Sequence, residues 1–293
     1  MTVLARAIEA TRRYGDVLAL DRVSLDIRAG ELVGLLGPNG AGKSTLINLF
    51  VGLRRPTSGT VELLGGSPAD PAVRRGIGVT PQETGLPDAL KVGEIISFVS
   101  AHHPKHRDKA DLLERFRLAD LAKRQIGGLS GGQKRRLAVA LAFAGNPRVV
   151  FLDEPTTGLD VEARRTLWEG IRSFHTDGGT VVLTSHYLEE IEALAQRVVV
   201  VGRGRVLADG TVKAVRDVVG VRRVSFAAPA VPDLPGILRS SIEDGRVHLL
   251  TTDSDLLVTE LVRTGTAFAD LQVRPTSLEE AFITITAKEE ARV

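Results

Sequence analysis

Four short stretches of the chain carry residue types whose spacing could do chemistry. The first is Gly37-Pro38-Asn39-Gly40-Ala41-Gly42-Lys43-Ser44-Thr45, which follows the apolar run Glu31–Leu36 and precedes the helix-like Leu46–Phe50. Glycines at 37, 40 and 42 lack a Cβ, so the backbone there can curl round an anion and turn its amides inward. A helix opening at this point adds partial positive charge, Lys43 supplies an ammonium for the outer phosphates, and Ser44 offers a hydroxyl to Mg²⁺. The stretch reads as a phosphate-binding loop. The second, Val149-Val150-Phe151-Leu152-Asp153-Glu154, is an apolar run that ends abruptly in two carboxylates. Asp153 could hold Mg²⁺ through its hydration shell, and Glu154 could polarise an attacking water. The third, Leu129-Ser130-Gly131-Gly132-Gln133, opens a helical run; its hydroxyl and glycine amides make a second phosphate-facing helix terminus. One nucleotide needs one phosphate loop, so a second such terminus suggests contact with another subunit's nucleotide. The fourth is Thr184-Ser185-His186, directly after the apolar Thr180–Leu183. A histidine at a strand end beside a nucleotide can bond the γ-phosphate.

These groups need elements to bring them together. The first 80 residues read as strand-rich, with strands at Val23–Ile27, Glu31–Leu36 and Thr60–Leu64 and turns at Gly15–Asp16 and Ala29–Gly30. From about Leu90 to Asn146 the period becomes helical: Leu112, Leu113, Phe116 and Leu121 share one spacing, and Leu137–Phe143 is an apolar stretch behind a basic start. Short apolar runs at Val149–Leu152, Thr180–Leu183 and Val198–Val201 then alternate with the helices Val161–Phe174 and Leu188–Ala195. Strands alternating with helices predict an α/β fold with a mostly parallel sheet, covered on both faces, whose carboxyl edge presents the acids. A helical subdomain at about residues 85–147 is inserted in it. Near Val219–Arg223 the character changes. The proline-bearing loop Ala227–Pro235 leads to a strand (Arg246–Leu250), a helix (Ser254–Val262), a strand (Asp270–Arg274) and a terminal helix opened by the capping box Ser277-Leu278-Glu279-Glu280. The expected division is residues 1–219 and a small α+β extension, 220–293.

Composition narrows the class. At 293 residues, two domains are expected. Lys plus Arg is 38 and Asp plus Glu 36, a net charge of +2, with 43% hydrophobic and 25% charged residues, the balance of a folded soluble protein. The longest apolar run, Leu137–Ala144, is far shorter than the roughly 18–20 residues of a membrane span. Arg6 and Glu9 interrupt what would have to be the apolar segment of a signal peptide. With no cysteine, disulfides, Cys-ligated metals and a thiol nucleophile are excluded, and a reducing cytosol is the simplest compartment. Basic residues fall in scattered pairs such as Arg12–Arg13 and Arg164–Arg165, and aromatics are 4%, so no nucleic-acid partner is expected. His102, His103 and His106 flank Pro104 and Lys105 and read as a solvated loop, His175 and His248 stand singly, and Trp168 reads as helix packing or surface.

Taken together, the four stretches resemble the ATP-binding cassette (ABC) nucleotide-binding subunits, P-loop NTPases, over roughly Val3 to Thr211 and in the family's order. The resemblance implies ATP as substrate, Mg²⁺, and N-terminal antiparallel strands ahead of the parallel core. By the same resemblance Tyr14 is similar to the aromatic that stacks on adenine. Gln82, in Pro81-Gln82-Glu83, is similar to the glutamine that senses Mg²⁺ and the transmembrane partner. Gly158-Leu159-Asp160, where the family commonly has Ala-Leu-Asp, is similar to the loop through which the two cassettes communicate, with Asp160 as its acid. The implied assembly is two cassettes head to tail, a homodimer or a homologous pair, with ATP between one chain's phosphate loop and the other's Ser130–Gln133. A separate transmembrane permease subunit would be driven by closure of this sandwich, which places the chain on the cytoplasmic face of the cell membrane.

The tail Arg274-Pro275-Thr276-Ser277-Leu278-Glu279-Glu280-Ala281-Phe282 resembles the end of subunits serving ABC-2-type exporters, including resistance and efflux systems. Two alternatives stay open beside an exporter. A soluble cassette ATPase with a non-transport partner usually carries two cassettes in one chain. An importer subunit of the sugar type would carry a β-barrel C-terminal domain, where here strands alternate with a helix.

Overall fold

The computed structural model describes residues 2–80, 85–185 and 187–290, the last three of these through their backbone only. The chain divides into two compact units, Met1–Asp209 and Gly210–Val293. The first unit begins with β1 (Val3–Tyr14), β2 (Val17–Arg28), β3 (Leu32–Leu36) and α1 (Lys43–Phe50). β4 (Ser58–Leu63), α2 (Pro71–Arg74) and β5 (Ile77–Thr80) follow. The helical stretch consists of α3 (Val92–Ala101), α4 (Lys109–Arg115) and α5 (Gly131–Ala142). The unit ends with β6 (Val149–Asp153), α6 (Val161–Thr176), β7 (Thr180–Thr184), α7 (Leu188–Leu194), β8 (Arg197–Gly202) and β9 (Arg205–Gly210).

β1, β2 and β4 form a three-stranded antiparallel sheet in the order β2-β1-β4. β1 was not legible as a strand because its pairing with β2 slips at several places and Glu9 takes φ 47°, which breaks the two-residue alternation. The second sheet has the order β5-β6-β7-β3-β8-β9, and β5, β6, β7, β3 and β8 run parallel. β8 turns into β9 through Arg203 and Gly204, both at positive φ, a pair suited to a two-residue hairpin. Every residue of β3, β6 and β7 is buried, which is why these strands read as unbroken apolar runs. With β6, β7 and β3 adjacent, their carboxyl ends lie side by side: Asp153 pairs with Thr184, and Thr184 with Leu35. The core beneath joins Leu20, Ile27, Leu46, Phe50, Phe151 and Val199, and the Phe50 and Phe151 rings stack with centroids 5.9 Å apart.

The helical stretch is more broken than its periodicity suggested. α4 stops at Arg115, and Arg117 takes φ 50°. There the amide of Leu118 bonds the carbonyl of Leu113 at 2.7 Å and that of Arg117 bonds Glu114 at 2.9 Å, the two-bond stop that ends many helices. Leu121 therefore lies in a separate 3₁₀ turn, Ala119–Leu121. Buried Phe116, Phe143 and Phe174 form one aromatic cluster, with successive centroids 5.2 and 4.8 Å apart.

The second unit holds α8 (Val212–Val218), β10 (Arg222–Ala227), β11 (Ile237–Glu243), β12 (Arg246–Thr251), α9 (Ser254–Arg263), β13 (Ala269–Pro275) and α10 (Leu278–Glu290). Its antiparallel sheet has the order β11-β12-β10-β13. Leu257 and Leu261 of α9 pack on Val224, Phe226, Val247 and Leu249, a small core of its own. The capping box forms as spaced: Ser277 N donates to Glu280 at 2.8 Å, and Glu280 N to Ser277 at 3.2 Å. Sequence placed the division at 219/220; the chain divides at 209/210, because α8 packs against α10. No helix among the described residues is long and apolar enough to cross a membrane.

Candidate active site

The loop after β3 is built for close approach. A Cβ at Gly37 would meet the Val201 carbonyl oxygen at 2.3 Å, and one at Gly42, at φ 106°, the Ala19 oxygen at 2.7 Å. Side chains are thus excluded by backbone, which cannot step aside. Gly42 precedes α1 with no side-chain cap, and the first turn holds no acidic residue. The helix terminus consequently keeps its partial positive charge for a ligand. Lys43 folds back into the loop, donating from Nζ to the carbonyls of Gly37 at 2.6 Å and Pro38 at 3.1 Å. Burial pulls its ammonium below the usual lysine value, while Glu154 and Asp153 oppose that shift.

The two acids arrive from β6. The Thr184 hydroxyl donates to Asp153 Oδ1 at 2.6 Å and accepts from the Glu154 amide at 2.9 Å, so one buried side chain from β7 holds both. Glu154 takes φ 49°, a conformation that costs a non-glycine residue energy and is found where surroundings force it. Arg135 of α5 grips the backbone on either side of it. Its buried guanidinium donates to the carbonyls of Asp153 and Glu154, both at 2.7 Å, and of Pro155 at 3.1 Å. Sequence reading missed Arg135; the only signal was a basic residue on the buried side of an apolar helix. Tyr14, Asn39, Gly40, Ala41, Gly42, Lys43, Ser44, Thr45 and Glu154 line one cavity of about 570 Å³, the size of a small-molecule site. Tyr14 is exposed at its rim, with the Arg12 guanidinium 4.6 Å from its ring centroid.

Other expected residues lie apart from that cavity. Ser130 and Gln133 cap α5 reciprocally: Gln133 N donates to Ser130 Oγ at 3.2 Å, and Ser130 N to Gln133 Oε1 at 2.9 Å. Neither bond uses the donors expected for phosphate, the Ser130 hydroxyl proton and the Gly131 and Gly132 amides. A Cβ on Gly131 would meet nothing within 4 Å, so this face is open. Asp160 caps α6, accepting from Ala163 N at 2.7 Å, and Gly158 beside it takes φ 75°. Gln82 and His186 lie outside the described residues. Trp168 is not surface: its indole donates to Glu190 at 3.0 Å in the interior. Among the described residues no group of three or more histidines and acids could hold a metal on its own, and His102 instead bonds the Phe98 carbonyl at 2.8 Å.

A glycine-lined loop between a buried strand and an uncapped helix, with two carboxylates at the end of β6 in the same sheet, defines a P-loop ATPase. Residues 20–157 match the ABC transporter family. The doxorubicin resistance ATP-binding protein of Mycobacterium tuberculosis is 34% identical over 98% of this chain and 94% of its own length. A Nod factor export ATP-binding protein of Mesorhizobium japonicum is 35% identical over 98% of this chain and 88% of its own. A solved ATP-binding cassette dimer in a post-hydrolysis state, with ADP and Pi, shares 27% identity and superposes with a TM-score of 0.63 over 71% of this chain and 98% of that one. The chain belongs to the ABC transporter family, as an ATP-binding, ATP-hydrolysing subunit.

Proposed function

We propose that the chain is the energising subunit of an exporter, hydrolysing ATP to drive a separate transmembrane permease from the cytoplasmic face of the membrane. The observation that carries the ATPase reading is the single cavity in which Lys43, the uncapped start of α1 and Glu154 meet. The export reading rests on the relatives, named for drug resistance and for Nod factor export, whose similarity runs nearly end to end. Two such different cargoes on similar cassettes leave the cargo to the permease.

In this reading Tyr14 stacks on adenine, the amides of Asn39 to Thr45 cradle the phosphates, and Lys43 turns from its carbonyl partners to the outer phosphates. Glu154 takes the proton of the attacking water; His186 bonds the γ-phosphate and Gln82 completes the site. Ser44, Asp153 and Gln82 offer the oxygen donors that Mg²⁺ takes, and with no three-ligand cluster among the described residues the ion would be held jointly with the nucleotide. Bound there, Mg²⁺ would neutralise charge on the phosphates. The work of the protein is positioning and charge stabilisation. Ser130 to Gln133 and Asp160, which stand away from this cavity, would serve the nucleotide of a second cassette in a homodimer or homologous pair. The ATPase lies in the first unit and the small α+β unit is an extension to it.

The test is affinity purification of the full chain from its native membranes, with mass spectrometry of what accompanies it. A polytopic membrane protein is expected. Recovery with ribosomes or another soluble assembly, and no membrane protein, overturns the transport reading; an accompanying extracytoplasmic solute-binding protein overturns the export direction.

A further inference from the structure

Glu190, in the first turn of α7, is completely buried although it does not line the phosphate cavity. Burying a carboxylate is costly, and an apolar side chain of similar volume would usually serve stability as well or better. Its partners come from two separate segments. The Thr156 hydroxyl donates to Oε2 at 2.9 Å, and the Trp168 indole of α6 donates to Oε1 at 3.0 Å. The Ser185 hydroxyl, just past β7, holds the start of α7 itself, accepting from the Tyr187 amide at 2.9 Å. Arg164, also on α6, lies 4.8 Å from the Tyr187 ring centroid and adds positive charge nearby. Thr156 lies two residues past Glu154 on the loop to Asp160, and its buried hydroxyl ties that loop to Glu190. Ser185 is the residue before His186 in sequence. One carboxylate on α7 therefore ties the loop that begins with Glu154 to α6 and to the helix that follows His186 in sequence.

We propose that Glu190 is a positioning residue for ATP hydrolysis: through Thr156 it fixes the Glu154–Asp160 loop against the start of α7, with Trp168 holding the same carboxylate from α6, while touching no nucleotide itself. The inference rests on the reading of Glu154 as the base. A residue of this kind alters turnover and leaves ground-state nucleotide binding nearly untouched, because the phosphate loop and α1 do not depend on it.

The experiment is steady-state ATP hydrolysis by the full chain with Mg²⁺-ATP, comparing Glu190→Gln, Thr156→Val and the double variant. Each single variant should lose about 10-fold or more in kcat with KM for ATP within about 3-fold, and the double should be no slower than the slower single, since both cut one connection. Trp168 is the sole tryptophan, so its emission reads the network directly: Glu190→Gln should change it in the nucleotide-free protein. Thr156→Val with kcat within about 2-fold of the parent overturns the proposal, and so does a double variant whose losses multiply. If Glu190→Gln does not fold, Thr156→Val alone decides, since it keeps the side-chain volume and removes only the hydroxyl. Retained hydrolysis in Glu154→Gln would instead overturn the base assignment beneath it, a separate failure.

Discussion

Replacing Thr184 by valine keeps the shape of a fully buried side chain and deletes one hydroxyl that makes two bonds. The first, to Asp153 at 2.6 Å, ends on a carboxylate, and such bonds contribute about 1.5–3 kcal/mol net. The second leaves the Glu154 amide without this acceptor, a desolvation cost of about 1–3 kcal/mol. The sum is about 2.5–6 kcal/mol, large against the roughly 5–15 kcal/mol that holds a domain folded. For a unit of this size it corresponds to a fall in Tm of about 10 °C. Urea and thermal unfolding followed by Trp168 emission would measure it, because the sole tryptophan lies in the same unit. Thr184→Ser keeps the hydroxyl and loses only a buried methyl, about 1 kcal/mol. Hydrolysis should fall with stability in the valine variant, since Asp153 and Glu154 lose their common tether. A Thr184→Val protein within about 0.5 kcal/mol of the parent, or no less stable than Thr184→Ser, would refute the two-bond account.

Four further outcomes are expected. Glu154→Gln should retain ATP binding and lose about 10²–10⁴-fold in turnover, measured by phosphate release under saturating Mg²⁺-ATP. Lys43→Ala should weaken ATP affinity by calorimetry, and mixing it with an inactive Ser130→Arg should restore part of the activity, because a mixed dimer keeps one intact site; verified mixed dimers without recovery would contradict sharing between chains. Gly37→Ala should destabilise the first unit by several kcal/mol, since its Cβ would meet a backbone oxygen at 2.3 Å, whereas a Cβ at Gly131 meets nothing within 4 Å, so Gly131→Ala should unfold like the parent. Burial holds the Glu190 carboxyl above the usual glutamate value, with its hydrogen bonds and Arg164 opposing that shift. The folded state thus keeps this proton longer than the unfolded chain, so its contribution to stability is complete below the unfolded pKa and is lost as pH rises through the folded one. Urea titrations across that range should show the slope flattened in Glu190→Gln.

Much of the site was legible because the chemistry is local. Gly37 to Thr45 is contiguous, and the flanking apolar run and helix say what conformation it takes. Asp153 and Glu154 follow a strand that reads as buried because it is buried on both faces. Elements whose form depends on neighbours were not legible. β1 is bulged to follow β2 and β4, and Arg117 ends α4 from a left-handed conformation that a basic residue does not advertise. Ser130 and Gln133 were legible as a helix start, yet only the structure showed them bonded to each other.

The sequence by itself determined the chemical inventory: which backbone can wrap a phosphate, which acids end a buried strand, and that no single segment is apolar enough to span a bilayer. Those properties belong to residue type and short spacing. The tertiary structure decided how the inventory is held. Arg135, 18 residues before Asp153, and Thr184, 31 residues after it, converge on the same two acids, and Glu190 ties Thr156 to Trp168. Such convergence depends on strand order and helix packing, which bring distant residues within hydrogen-bond reach. Nothing in the local sequence around Arg135, Thr184 or Glu190 encodes the partner that each one meets.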